Sequence, residues 1–103
     1  MSNTVDTINP ATEEKLQSYT LLSDDEANKA VDNAHEAFTQ WRKTSLSERS
    51  KLLNALADKI DERADDIAEL MVQEMGKVKA QGYQEVELCA SICRYSAEHG
   101  PEQ

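Results

Sequence analysis

The sequence predicts a mainly α chain: a small N-terminal β-hairpin followed by four helices. Two Ser-x-x-Glu start signals stand at Ser23–Glu26 and Ser45–Glu48. Apolar residues return every three or four positions behind them. Gly76 and Gly100-Pro101 supply stop signals.

Residues up to Leu22 read apart from the rest, as an extended arm or a hairpin. Thr4-Val5-Asp6-Thr7-Ile8 is short and β-branched. Asn9-Pro10 then signals a turn, because proline fixes its own φ and biases Asn9 toward an extended form. Leu16 to Leu22 can return as the second strand, and such a hairpin needs something to pack on. Residues 23–103 read as a four-helix segment.

Ser23-Asp24-Asp25-Glu26 is a capping box, and its two aspartates suit the positive end of the helix dipole. Ala27, Ala30, Val31, Ala34, Phe38 and Trp41 follow as one narrow stripe, so the first helix runs to Trp41. Ser45-Leu46-Ser47-Glu48 repeats the box. Leu52, Leu53, Leu56 and Ile60 form the face of the second helix, which ends at Asp61-Glu62-Arg63. The third carries Ile67, Leu70, Met71 and Met75 and stops at Gly76, where glycine turns left-handed without steric cost. The short connections predict antiparallel neighbours.

The fourth helix spans Lys79 to His99. Val86, Cys89, Ala90, Cys93 and Ala97 make one stripe. Leu88, Ile92 and Tyr95 make a second on roughly the opposite side, at about 100° per residue. A helix apolar on two sides is buried on two sides. The three preceding helices are expected to cover one face, and something beyond them the other.

A net charge of −9 over 103 residues argues against nucleic-acid and anionic-membrane partners. No run approaches the ~20 apolar residues of a membrane span, and no secretory signal is readable near the start. Two cysteines make no disulfide framework, so a reducing cytoplasm is the expected compartment. The three glycines form neither G-x-G-x-x-G nor a P-loop. No catalytic, cofactor-binding or metal-ligating set is expected in this chain.

Arg49 and Glu74 each project into an apolar helical sector. If the second and third helices are antiparallel, they fall at similar heights, and a structural ion pair follows; alternatively, both snorkel to water. Cys89 and Cys93 stand one turn apart, but His99 projects about 80° from Cys89 on an ideal helix. Buried thiols acting as small hydrophobes are the expected reading, ahead of a metal or redox sensor. His35 reads as polar surface.

Asn9-Pro10-Ala11-Thr12, Trp41, Glu48-Arg49 and Glu74-x-Gly76-Lys77, in that order, resemble the opening of the aldehyde dehydrogenases. Cys93-Arg94-Tyr95-Ser96-Ala97-Glu98-His99-Gly100-Pro101 is most similar to the bacterial succinate-semialdehyde branch. Two departures stand out. The family continues Asn-Pro-Ala-Thr with Gly-Glu, where Glu13-Glu14 stands here, and proline often follows Gly-Lys, where Val78 stands here.

The resemblance implies the N-terminal part of an NAD- or NADP-dependent enzyme that oxidises an aldehyde to a carboxylate. These helices would belong to a cofactor-binding domain built on a Rossmann-like α/β sheet supplied by later residues. The nucleophilic cysteine and the base would also lie downstream, so this chain alone is expected to be inactive. Its partners would be the remainder of the enzyme, or a second copy through the fourth helix. By position after Gly76-Lys77, Glu85 and Cys89 would line the aldehyde tunnel. The competing reading is a stand-alone helical interaction or oligomerisation module.

Overall fold

The computed structural model describes residues 3–103. Strands β1 (Thr4–Ile8) and β2 (Lys15–Thr20) precede helices α1 (Asp24–Trp41), α2 (Leu46–Glu62), α3 (Ala64–Met75) and α4 (Lys79–His99), and a 3-10 turn, Gly100–Glu102, follows.

The hairpin is antiparallel, with Thr4 opposite Thr20 and Thr7 opposite Gln17, and its register shifts at Ile8, which faces Lys15. Asn9 organises the turn: its side-chain oxygen accepts from the amides of Ala11 at 2.8 Å and Thr12 at 3.2 Å. Glu13 closes the turn at φ 65°, a left-handed conformation that glycine adopts freely and a side chain resists.

Both capping boxes form. The Ser23 and Ser45 hydroxyls accept from the amides of Glu26 and Glu48, each at 3.1 Å, and each glutamate reaches back to the amide of its serine. Gly76 ends α3 at φ 68°, and its amide donates to Val72 O at 3.0 Å.

The expected antiparallel pairing of α2 and α3 does not occur. They are joined through Arg63 alone, at φ −102° and ψ 17°. Helical bonding nearly continues across it, from the Arg63 amide to Lys59 O and from the Ile67 amide to Arg63 O. The two helices therefore make one bent rod, and α4 lies antiparallel along it. Lys79 meets Glu69, Gly82 packs on Ala68, Arg94 bonds Asp58 and Asp61, and the Ser50 hydroxyl donates to Ala97 O at 2.7 Å.

Small residues set the spacing of this layer. Ala57, Ala68, Val86, Ala90 and Ala97 form the buried apolar core, with Gly82 among them. A β-carbon on Gly82 would sit 3.3 Å from Ala68 Cα, so α3 and α4 meet almost backbone to backbone.

Helix α1 does not join that layer, contrary to expectation. None of its residues is buried, and no helix packs along it among the described residues. The chain is accordingly open: its radius of gyration is 17.9 Å, against about 13 Å for a compact domain of this length.

Candidate functional site

The residues singled out by sequence fall mostly on α4. Glu85 is half-buried, and its Oε1 lies 2.5 Å from Lys77 Nζ. The Lys77 side chain is only 21% exposed. It follows the left-handed Gly76 directly, so the α3–α4 corner turns its ammonium onto the first turns of α4. That ion pair ties down a helix start at which Val78 provides no side-chain cap.

Cys89 is exposed and Cys93 only half-buried, which corrects the expectation of two core thiols. The buried line of α4 runs through Gly82, Val86, Ala90 and Ala97, and Cys89 falls off its edge. The second stripe is bare: Leu88 is 59% exposed, Ile92 55% and Tyr95 66%. Tyr95 stacks on His99, with ring centroids 4.3 Å apart. The α1 stripe is bare as well, with Val31 at 69%.

Arg49 and Glu74 do not meet. They lie at opposite ends of the α2–α3 rod, 25 residues apart in a chain that rises ~1.5 Å per helical residue. Glu74 is exposed. Arg49 instead turns back to the end of α1: Nε donates to Thr44 Oγ1 at 3.0 Å, and Nη2 donates to Trp41 O at 3.1 Å and Arg42 O at 3.3 Å. Its guanidinium stands 5.5 Å from the centre of the Trp41 ring, within cation–π range.

Two further polar links went unforeseen. Arg94 bonds Asp61 at 2.6 Å and Asp58 at 3.0 Å, and these hydrogen bonds push its pKa up. The Tyr83 hydroxyl donates to Asp65, which likewise raises the phenol's pKa. Both links staple α4 to the rod at the rim of its alanine-lined core. Acidic residues at turn spacing, such as Asp58 and Asp61, were the only hint in the sequence.

The glycines do not fit the pyrophosphate of a nicotinamide cofactor, which needs free amides at a turn opening a helix. The Gly76 amide is bonded to Val72 O, Gly82 is pressed on Ala68 inside α4, and Gly100 lies in the closing 3-10 turn. No group of three metal-ligating side chains converges among the described residues. Among the described residues, one surface hollow lies beside the α1–α2 corner, lined by Thr44, Glu48, Lys51, Leu52 and Ala55, and another between β2 and α1. In the second hollow the Ser23 hydroxyl and the Glu26 carboxylate are bonded to each other at 3.0 Å within the α1 capping box. No described helix is long and apolar enough to cross a membrane. What the geometry offers is uncovered apolar surface on every helix: Val31, Phe38 and Trp41 on α1, Leu46, Leu52 and Leu56 on α2, Leu70 and Met75 on α3, and Leu88, Ile92 and Tyr95 on α4.

Residues 1–103 match the family model described as the aldehyde dehydrogenase family. Succinate-semialdehyde dehydrogenase [NADP(+)] 1 of Mycobacterium bovis is 42% identical over 93 residues, which is 90% of this chain and 20% of that protein. The crystal structure of succinic semialdehyde dehydrogenase from Streptococcus pyogenes, in complex with NADP+, superposes with a TM-score of 0.87 at 34% identity, over 94% of this chain and 22% of that one. The NADP-dependent glyceraldehyde-3-phosphate dehydrogenase of Bacillus halodurans gives 0.90 at 34% identity, over 93% and 20%. The chain thus spans about a fifth of the length of the relatives it matches.

Proposed function

The chain belongs to the aldehyde dehydrogenase family, and from that premise we propose that its residues form the outer helical layer of the cofactor-binding domain of a succinate-semialdehyde dehydrogenase. The whole enzyme would oxidise succinate semialdehyde to succinate, with water supplying the added oxygen and NADP, or else NAD, accepting the hydride. Residues 1–22 would be the hairpin arm and 23–103 the helical part of that domain.

The observation that carries this reading is the apolar surface left uncovered on every helix of an open chain. Val31, Phe38 and Trp41 on α1, and Leu88, Ile92 and Tyr95 on α4, are the kind of apolar surface a monomeric domain buries. With a radius of gyration of 17.9 Å, a self-sufficient interaction module is the weaker account. The semialdehyde substrate and the NADP preference are drawn from the M. bovis and S. pyogenes relatives.

Within such an enzyme, Glu85 and Cys89 would stand along the aldehyde's approach. They lie one helical turn apart on α4, outside its buried line. In this reading the catalytic nucleophile and the phosphate cradle would come from the rest of the enzyme. Its task would be to cover the sheet, with α4 meeting either the remainder of the enzyme or a second copy. Two unpaired cysteines suit a reducing cytoplasm.

A chimera tests the proposal: this chain replaces the matching part of the S. pyogenes enzyme. Retained reduction of NADP with succinic semialdehyde is expected. A soluble, folded chimera that no longer oxidises that substrate, yet oxidises another aldehyde, would overturn the substrate assignment.

A further inference from the structure

Among the described residues, no helix packs along α1 as it leaves the rest of the molecule. None of its residues is buried, and its last turn carries no basic side chain to answer the negative end of its dipole. Beyond the capping Arg42 and the Lys43 that follows it, a further cation reaches this end from α2. The Arg49 guanidinium spans the corner, taking the carbonyls of Trp41 and Arg42 and the hydroxyl of Thr44, while lying against the Trp41 ring. Thr44 is itself fixed, since its hydroxyl donates to Trp41 O at 2.6 Å. Behind Arg49, the Ser45–Glu48 box locks the first turn of α2.

We propose that Arg49 is the positioning residue of a preset elbow, fixing the angle at which α1 projects from the α2–α3–α4 layer. The planar guanidinium is suited to this task. Its donors leave in a fixed fork, so it engages two carbonyls and one hydroxyl only when α1 and α2 hold one mutual orientation. Opening the corner breaks the hydrogen bond to Trp41 O and the contact with its ring together, so intermediate angles gain nothing. The elbow keeps the α1 stripe extended and ready to dock, rather than collapsing onto the bare face of α4. This inference stands on the corner geometry and does not require the dehydrogenase reading.

The test measures the angle itself. Spin labels are placed through Asp32→Cys on α1 and Asn54→Cys on α2, in a chain carrying Cys89→Ser and Cys93→Ser, and the inter-label distance distribution is read by pulsed electron resonance. The distribution is expected to be narrow with Arg49 present and broad in Arg49→Gln, with helix content by circular dichroism unchanged. Arg49→Lys should fall between, because an ammonium lacks the fork. The sole tryptophan, Trp41, gives a second readout: its anisotropy decay should gain a fast component in Arg49→Gln. If Arg49→Gln loses helix, Thr44→Val becomes decisive, since it removes one acceptor and leaves the α2 cap intact; broadening supports the elbow. A distribution equally narrow without the clamp, or already broad with it, would overturn the inference.

Discussion

The pyrrolidine ring of Pro10 lies against Gly76, so closely that a β-carbon there would stand 3.1 Å from Pro10 Cγ. Two turn residues 66 positions apart thus seat the hairpin on the end of α3. The contact needs glycine twice, for its left-handed φ of 68° and for its missing side chain.

Gly76→Ala should therefore destabilise the chain by about 1–2 kcal/mol from the backbone term alone. The crowding against Pro10 adds to that. Urea midpoints should show the Gly76→Ala loss shrinking in a Pro10→Ala background, because the two residues touch. Strict additivity would mean that the hairpin does not rest there in solution.

Glu13 invites the opposite change. It holds φ 65° with a side chain that disfavours this region. Glu13→Gly should raise stability by roughly 0.5–1 kcal/mol, a partial return of the left-handed penalty offset by glycine's greater chain entropy. Amide exchange of the hairpin should slow accordingly. Unchanged exchange would contradict the turn geometry.

The α3–α4 crossing depends on Gly82. Gly82→Leu pushes side-chain atoms into Ala68, whose Cα would be 3.3 Å from the new β-carbon. A loss of about 1–3 kcal/mol in urea unfolding is expected, as for an overpacked core. Tolerance of leucine would show that the two helices separate.

Tyr83 supplies a pH signature. Its hydrogen bond to Asp65 favours the protonated phenol, raising its pKa in the folded state above the ordinary 10.0. The sign follows: the bond's contribution is complete below pH ~10 and is lost as pH rises through the folded-state value. Absorbance titration of the three tyrosines should show one ionising late, and Asp65→Asn should bring it back toward the other two. A profile unchanged by Asp65→Asn would refute the bond.

How much of this was legible in the sequence varies with the range of the interaction. Local signals read true: both serine–glutamate boxes, the Asn9-Pro10 turn and the Gly76 stop lie where the short-range pattern put them, and α4 runs from Lys79 to His99 as its periodicity required. Pairing between helices did not read. Arg63 joins α2 to α3 with no glycine or proline, and nothing in an apolar stripe says whether such a junction reverses the chain or merely bends it. Arg49 was misassigned for the same reason. A projection along one helix places it beside Leu52 and Leu53, whereas its partners are carbonyls of the preceding helix. The signal available was an arginine in the opening turns of α2, a few residues after the Trp41-Arg42 end of α1. Cys89 sits at a stripe edge, where a difference of some tens of degrees separates core from surface.

Whether the apolar helix faces stay bare in solution is decided by small-angle scattering from the 103-residue chain, extrapolated to infinite dilution so that the monomer is seen. A radius of gyration near 17.9 Å is expected. A value near ~13 Å, that of a compact domain of this length, would show the chain closing its own faces and would contradict it.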